Sequence, residues 1–318
     1  MKRVAQRGTA IISALLVATV VSVIVAAMLG RQTQTIRSVE GESQRAQGAW
    51  LSRGVLEWAK QTLWQQRLDD PMTRRDQLWA QPVRAVRLGG AEFEGSLSDE
   101  QGKFNLRNLV QDGLTDDLEV AAFERLCAHL SVPQGQIGRI VQRVIDAYPR
   151  RTGPVLEPSG NEFDSGRLTS LSAHAQVMPA RRPMLRHVDD LASVPGLAPE
   201  TLERLRPFVT VLPAATWVNG NTASAQVLAS RVPGMAMEQA QAIVAERDRG
   251  QWFINSGDYL NRLRLPQMTT EQLRLGITSE WFLLQGLSTV AQRKIPVEAL
   301  LFRADVARPR VVWSRVGA

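Results

Sequence analysis

Twenty-one consecutive residues near the start of the chain, Thr9 to Leu29, carry no charge. Their only polar members are the hydroxyls of Thr9, Ser13, Thr19 and Ser22. As a helix rising 1.5 Å per residue, this run spans about 30 Å, the thickness of a bilayer core. The hydroxyls fit such a setting because each can bond back to a carbonyl one turn earlier. Lys2, Arg3 and Arg7 precede the run with no acid among them, which keeps the N-terminus cytoplasmic and exports the chain beyond Gly30. A cleavable secretory signal has the same order of charges and apolar residues, but its apolar core is only about 7–15 residues long. Here Ala26-Ala27-Met28-Leu29-Gly30 also passes straight into a polar helical stretch. An ordinary membrane anchor fits as well.

The remainder is long enough for roughly two domains. With 44% hydrophobic and 22% charged residues overall, the chain can build a core, which excludes a disordered or collagen-like polymer. The single cysteine, Cys127, rules out an internal disulfide. Three histidines (His129, His174, His187) offer little for a zinc or copper site.

From Arg31 to Arg67 no proline intervenes, and Leu51, Val55, Trp58/Ala59 and Leu63 recur every three to four residues. The membrane helix therefore continues as an amphipathic one. Ala91, Phe93, Gly95 and Leu97 then alternate with Glu92, Glu94, Ser96 and Ser98, the period of a strand. Asp99-Glu100-Gln101-Gly102 reads as a turn and Lys103-Phe104-Asn105-Leu106 as the returning strand. Trp281–Leu284, Val297–Phe302 and Val311–Trp313 read as three more strands. Helical patterns fill the interval from about Val110 to Gly276. Strands on either side of a long helical stretch imply an α+β head with a helical insertion.

The basic leader Arg7-Gly8 joined to Thr9-Ala10-Ile11-Ile12-Ser13 resembles the leader of type IV pilins and pseudopilins, in which a prepilin peptidase cuts after the glycine. Most such proteins have glutamate at the fifth mature position, where this chain has Ser13. Gly102-Lys103-Phe104-Asn105-Leu106-Arg107-Asn108-Leu109 and Val218-Asn219-Gly220-Asn221-Thr222-Ala223 are similar to two signatures of one family, the minor pseudopilin K (general secretion pathway protein K) of type II secretion systems.

The resemblance implies a long N-terminal helix on a pilin-like antiparallel sheet, with a large inserted α-helical domain. It divides the chain into a leader (1–8), a transmembrane helix (9–29), its continuation (30–67), first strands (68–109), the inserted domain (110–276) and C-terminal strands (277–318). Cleavage would fall between Gly8 and Thr9, and Ser13 would alter assembly. The implied partners are minor pseudopilins of the I and J types, the major pseudopilin, the prepilin peptidase and the inner-membrane assembly platform. The chain would be a single-pass inner-membrane protein with a periplasmic head and no nucleic-acid partner, and would initiate a pseudopilus at its tip. Relatives bind calcium in the inserted domain. The matching residues are Asp146, Glu162 and Asp164, although Arg150 and Arg151 stand where further acids would be expected. Relatives often carry a cysteine pair there; this chain has only Cys127.

An internal repeat supplies the alternative. Val194-Pro195-Gly196 recurs as Val232-Pro233-Gly234, with a weaker echo at Leu265-Pro266-Gln267-Met268. The units, near 191–206 and 228–245, follow the helix-hairpin-helix or SAM-like pattern. Such hairpins bind nucleic-acid phosphate in other proteins, so a membrane-tethered DNA-binding protein is the rival reading. Ala198 and Ala236 replace the second glycine of a phosphate-binding pair, and Glu200 and Glu238 place carboxylates near it. The formal charge of +7 drops to +4 once the three leader charges are removed. Arg181-Arg182 and Arg204/Arg206 read as solvated faces. No catalytic arrangement stands out: Cys127 and His129, two residues apart, lie on different faces of a helix. The sequence reads as non-enzymatic.

Overall fold

The structure is a computed structural model and describes residues 6–88, 91–152, 176–290 and 293–317. Helix α1 (Gln6–Asp69) is unbroken over 64 residues, about 96 Å at the standard rise. Its side chains from Ile11 to Leu29 are exposed, and its most apolar window has a mean hydropathy of 2.7. By length and composition this helix can cross a membrane. The Thr19 and Ser22 hydroxyls donate to the carbonyls of Leu15 and Ala18, each at 2.8 Å, which is the back-bonding expected of hydroxyls in apolar surroundings.

Farther along α1, Leu51, Val55, Ala59 and Leu63 are buried. They pack on a five-stranded antiparallel sheet formed by β1 (Val83–Leu88), β2 (Ala91–Asp99), β11 (Trp281–Val290), β12 (Arg293–Phe302) and β13 (Arg310–Val316), adjacent in that order. Side chains alternate between the faces of each strand. Phe93, Leu97, Phe282, Leu284, Val297, Ala299 and Leu301 meet α1. On the opposite face Trp281, Leu283 and Leu300 pack with Leu212 of the insertion, flanked by Phe302 and Trp313. The sheet is thus sandwiched between α1 and the insertion. Gly95 and Gly286 face each other across the β2–β11 pair. The Phe93 ring lies over both, 2.4 Å from where a Cβ on Gly286 would sit.

The expected return strand requires correction. Residues 103–106 do not pair with β2. Instead, β3 (Phe104–Asn105) runs parallel to β8 (Val209–Thr210), and the hairpin partner of β2 is β1, on its N-terminal side. Asp99 accepts from the Gln101 N–H at 2.8 Å and caps a 3-10 turn that redirects the chain. The apolar residues after that turn serve a second core, in which Phe104, Leu106 and Leu109 are buried.

That core belongs to the insertion between Asp99 and Trp281. Its helices are α2 (Asp117–His129), α3 (Gln134–Ile145), α4 (Pro199–Leu205), α5 (Ala225–Arg231), α6 (Met237–Asp248), α7 (Ser256–Arg262) and α8 (Thr270–Leu273). Short strand pairs accompany them: β4 (Val110–Gln111) with β5 (Leu114–Thr115), β6 (Arg150–Thr152) with β7 (Gln176–Met178), and β9 (Val218–Asn219) with β10 (Leu275–Gly276). In each copy of the repeat a tight turn links two helical segments, the first of which is a 3-10 helix (Val188–Ser193) in the first copy. The N–H groups of Leu197, Met235 and Met268 donate to the carbonyls of Val194, Val232 and Leu265 at 3.2, 3.2 and 3.1 Å. Gly196 and Gly234 have φ of 71° and 76°, the left-handed conformation that a Pro-Gly turn requires. The third turn uses Gln267 and needs no positive φ there.

Candidate functional site

The two sequence signatures, more than a hundred residues apart, converge where the insertion joins the sheet. Gly102 lies against Thr222, and a Cβ there would stand 2.7 Å from the Thr222 hydroxyl. The Asn105 amide donates to the Ala214 carbonyl at 2.8 Å, and its oxygen accepts from the N–H groups of Arg107 and Leu212. Asn108 does the same for Thr216, donating to its carbonyl at 2.7 Å and accepting from its N–H at 3.0 Å. Each asparagine bonds backbone groups of the 212–216 stretch, which forms no strand.

At the centre is Asp99, the last residue of β2. Its Oδ2 accepts from Asn219 Nδ2 (3.0 Å), Thr222 Oγ1 (2.6 Å) and Ser279 Oγ (2.6 Å). Burial pushes its carboxyl above the ordinary range, and the hydrogen bonds from Ser279, Thr222, Gln101 and Asn219 oppose that rise. Thr73, between α1 and β1, joins the cluster: its carbonyl accepts from Asn219, and its hydroxyl accepts from Arg303 Nη2 at 2.7 Å. Arg303 also donates to the Ser279 carbonyl and stacks over Phe282, 4.7 Å from the ring centre. Burial lowers its guanidinium to about 10. Asn221 bonds both backbone groups of Phe253. Arg247 reaches the carbonyls of Gly220 and Ala223 at 2.8 and 2.6 Å. The junction ties the β2 exit, the β11 entry, the loop after α1 and the insertion into one buried polar node. These hydrogen bonds join the insertion to the sheet.

The other residues singled out in the sequence lie elsewhere. Gly8, Thr9 and Ser13 sit in the first turns of α1, far along the chain from the junction. The Asp146 carboxylate accepts from Arg150 Nη2 at 2.6 Å and Gln142 Nε2 at 2.9 Å, while its carbonyl takes the N–H groups of Arg181 and Arg182. A carboxylate already neutralised by an arginine does not fit a calcium ligand. Glu162 and Asp164 lie outside the described residues, and no group of three or more metal-ligating side chains occurs among the described ones. Cys127 is buried in α2, where burial, with Glu124 nearby, pushes its thiol up to about 12. The first hairpin turn packs against α3: Arg139 donates to the Gly196 carbonyl, and Gln136 accepts from the Ala198 N–H. The DNA-binding alternative gains no support. Thr73, Ser279 and Arg303 escaped sequence reasoning because they stand outside any motif or period.

Both junction signatures fall within regions matched by profiles of the type II secretion system protein K family, at residues 102–214 and 218–278. Together the two profiles span more than half of the chain. The chain belongs to that family. Among curated relatives, type II secretion system protein K of Pseudomonas aeruginosa is 27% identical over 330 residues, covering 98% of this chain and 93% of the relative. The Pectobacterium carotovorum protein K is 26% identical, covering 87% and 86%. A crystal structure of the GspK–GspI–GspJ complex from the type 2 secretion system of enterotoxigenic Escherichia coli contains a chain with the same fold. The TM-score is 0.68 at 21% identity, covering 88% of this chain and 99% of that one. The two protein K profiles meet at residues 214–218, the stretch that Asn105 and Asn108 hold in place.

Proposed function

We propose that this protein K is the minor pseudopilin that occupies the tip of a type II secretion pseudopilus and starts its assembly. The carrying observation is the two-sided head: the insertion covers one sheet face while α1 covers the other. A head broadened in this way does not stack beneath a neighbour. Ser13 adds a second reason. In pilin-type assembly a fifth-position glutamate meets the amine of the subunit above, and a serine cannot neutralise that amine within a bilayer.

Partner subunits, by the composition of the complex containing the structural relative, are pseudopilins of the I and J types. A surface suited to them runs along α1. Ile36, Val39, Trp50 and Trp58 fall within about 100° of the helix circumference, beside the buried stripe, and Trp50 is 71% exposed. The precursor is a single-pass inner-membrane protein, cut between Gly8 and Thr9 by a prepilin peptidase, with its head in the periplasm. The hairpin repeats act as a packing module.

Two measurements test this reading. Intact-mass analysis of the mature chain should place the new N-terminus at Thr9; a terminus beyond Gly30 refutes it. Cysteines placed along the Trp50 stripe should crosslink to minor pseudopilins only from above. Recovery within the shaft, with subunits on both sides, refutes the tip position.

A further inference from the structure

The sheet ends at β13, and among the described residues no strand pairs with its outer edge. The Gly317 N–H donates to the Pro296 carbonyl at 2.9 Å. Arg315, two residues back and opposite Glu298, therefore also bonds inward, and the backbone groups of Ser314 and Val316 point outward. The only irregularity in the β12–β13 register lies between Leu300 and Leu301, so the strand is regular from Trp313 onward. The other edge, β1, is interrupted by a register shift between Val83 and Val86, a device that discourages further pairing.

Beside the regular part of β13 lies a cavity of about 420 Å³, between the strand and the insertion. Met184, Leu185, Val211, Leu212, Pro213 and Trp313 give it an apolar lining. It shares Arg186, His187, Val211 and Trp313 with a second cavity of about 250 Å³ under the insertion. Most charges around the two cavities are already satisfied: Arg206 pairs with Asp189 at 2.6 Å and Lys103 with Glu100 at 2.7 Å, while His187 lies 3.0 Å from Asp189. Two arginines differ. Arg186 has no ion-pair partner among the described residues. The Arg315 side chain is 63% exposed, and its nearest carboxylate, Glu298, is 3.8 Å away.

We propose that β13 and this cleft form a docking site for an extended acidic segment of a partner protein. The segment adds to the sheet as a sixth strand, bonded to Ser314 and Val316. It seats an apolar side chain in the cavity and a carboxylate between Arg186 and Arg315. Edge-strand addition derives affinity from main-chain bonds and specificity from pockets for alternate side chains, and this site has both. Residues two apart on a strand share a face, so the apolar and acidic groups of the segment can both reach the cleft. Charge complementarity selects an acidic partner over a basic one. The site is separate from the Trp50 stripe and does not depend on the tip position.

The test uses the full chain in detergent and a fluorescent eight-residue peptide. One peptide face alternates leucine and glutamate and the other is threonine; a second peptide has lysine in place of glutamate. The expected result is saturable binding of the glutamate peptide, weaker in salt, and none of the lysine peptide. Arg186→Glu and Arg315→Glu should each weaken binding by about tenfold or more. Ser314→Pro, which removes an outward N–H without breaking a ladder bond, should abolish it. Absent binding, equal binding of both peptides, or affinity unchanged by the two charge reversals overturns the proposal. So does concentration-dependent self-association that Ser314→Pro removes while no peptide binds, which would make the occupant a second copy. If Ser314→Pro does not fold, the charge reversals alone decide.

Discussion

The two halves of the head are held together by different means. Around α1 and the sheet, the core is a set of periodic apolar stripes, with Leu51, Val55, Ala59 and Leu63 against Phe93, Leu97, Phe282 and Leu284. In the insertion, buried charge is woven through the core. Arg231 grips Glu119 with two bonds of 2.8 and 3.0 Å, and Arg274 joins Glu119 at 2.9 Å and Asp116 at 2.7 Å. The difference follows from element length. The long α1 and the ten-residue strands β11 and β12 bury enough apolar surface to align themselves. Helices α4, α5 and α7 have seven residues each and α8 has four, and helices under about 12–15 residues are marginal alone. Polar staples between distant residues supply the missing specificity, at the risk that losing one partner strands a buried charge.

That risk sets the largest expected effect. Glu119→Ala leaves Arg231 buried without its carboxylate and should destabilise the insertion by about 3–5 kcal/mol, measured by urea denaturation of the full chain in detergent. A loss below about 1 kcal/mol would mean that apolar contacts hold the insertion as they hold the sheet. Leu63→Ala, the matched deletion on the α1 side, should cost about 2–5 kcal/mol through its cavity.

Next in size is the junction between the halves. Asp99→Ala leaves the Asn219, Thr222 and Ser279 donors without their acceptor and should cost about 3 kcal/mol. Its pH dependence has a definite sign. Burial raises the folded-state value above 3.8, so folding favours the protonated form. The contribution of this carboxyl to stability is greatest below the unfolded value and declines as pH rises through the folded one. Asp99→Asn should flatten that part of the stability–pH profile, and a profile identical to that of the parent would contradict the assignment. A smaller effect separates the repeat turns. Gly234→Ala forces a Cβ into left-handed backbone and should cost about 1–2 kcal/mol, whereas Gln267→Ala in the third turn should change little.

The contrast also explains which features were legible in the sequence. The α1 stripe, the alternation of β2 and the three C-terminal strands are periodic, and periodicity survives in one dimension. The hairpin turns were visible because Pro-Gly at a fixed offset is local chemistry. The Phe104 strand misled because alternation and a turn signal do not say which core a residue serves. The junction was half legible: Asn219, Asn221 and Thr222 stood in a recognised signature, but Asp99, Thr73, Ser279 and Arg303 meet them only in three dimensions. Glu119 and Arg231, 112 positions apart, are ordinary helix-surface residue types until the fold buries them.

The smallest effect concerns whether the two halves open together. Cys127 sits in α2, in the core of the insertion, with its thiol pushed up to about 12 by burial. At pH 8 its thiolate fraction is on the order of one in ten thousand, so alkylation by iodoacetamide should report local opening and little else. In mild urea, Glu119→Ala should speed that labelling, because the staple it removes belongs to the same unit. Leu63→Ala weakens the α1–sheet core instead and should leave the Cys127 rate near that of the parent if the insertion opens alone. Equal acceleration by both substitutions would show that the Asp99 junction couples the halves into one cooperative unit. In that case Asp99→Asn, by loosening the junction, should restore the difference between them.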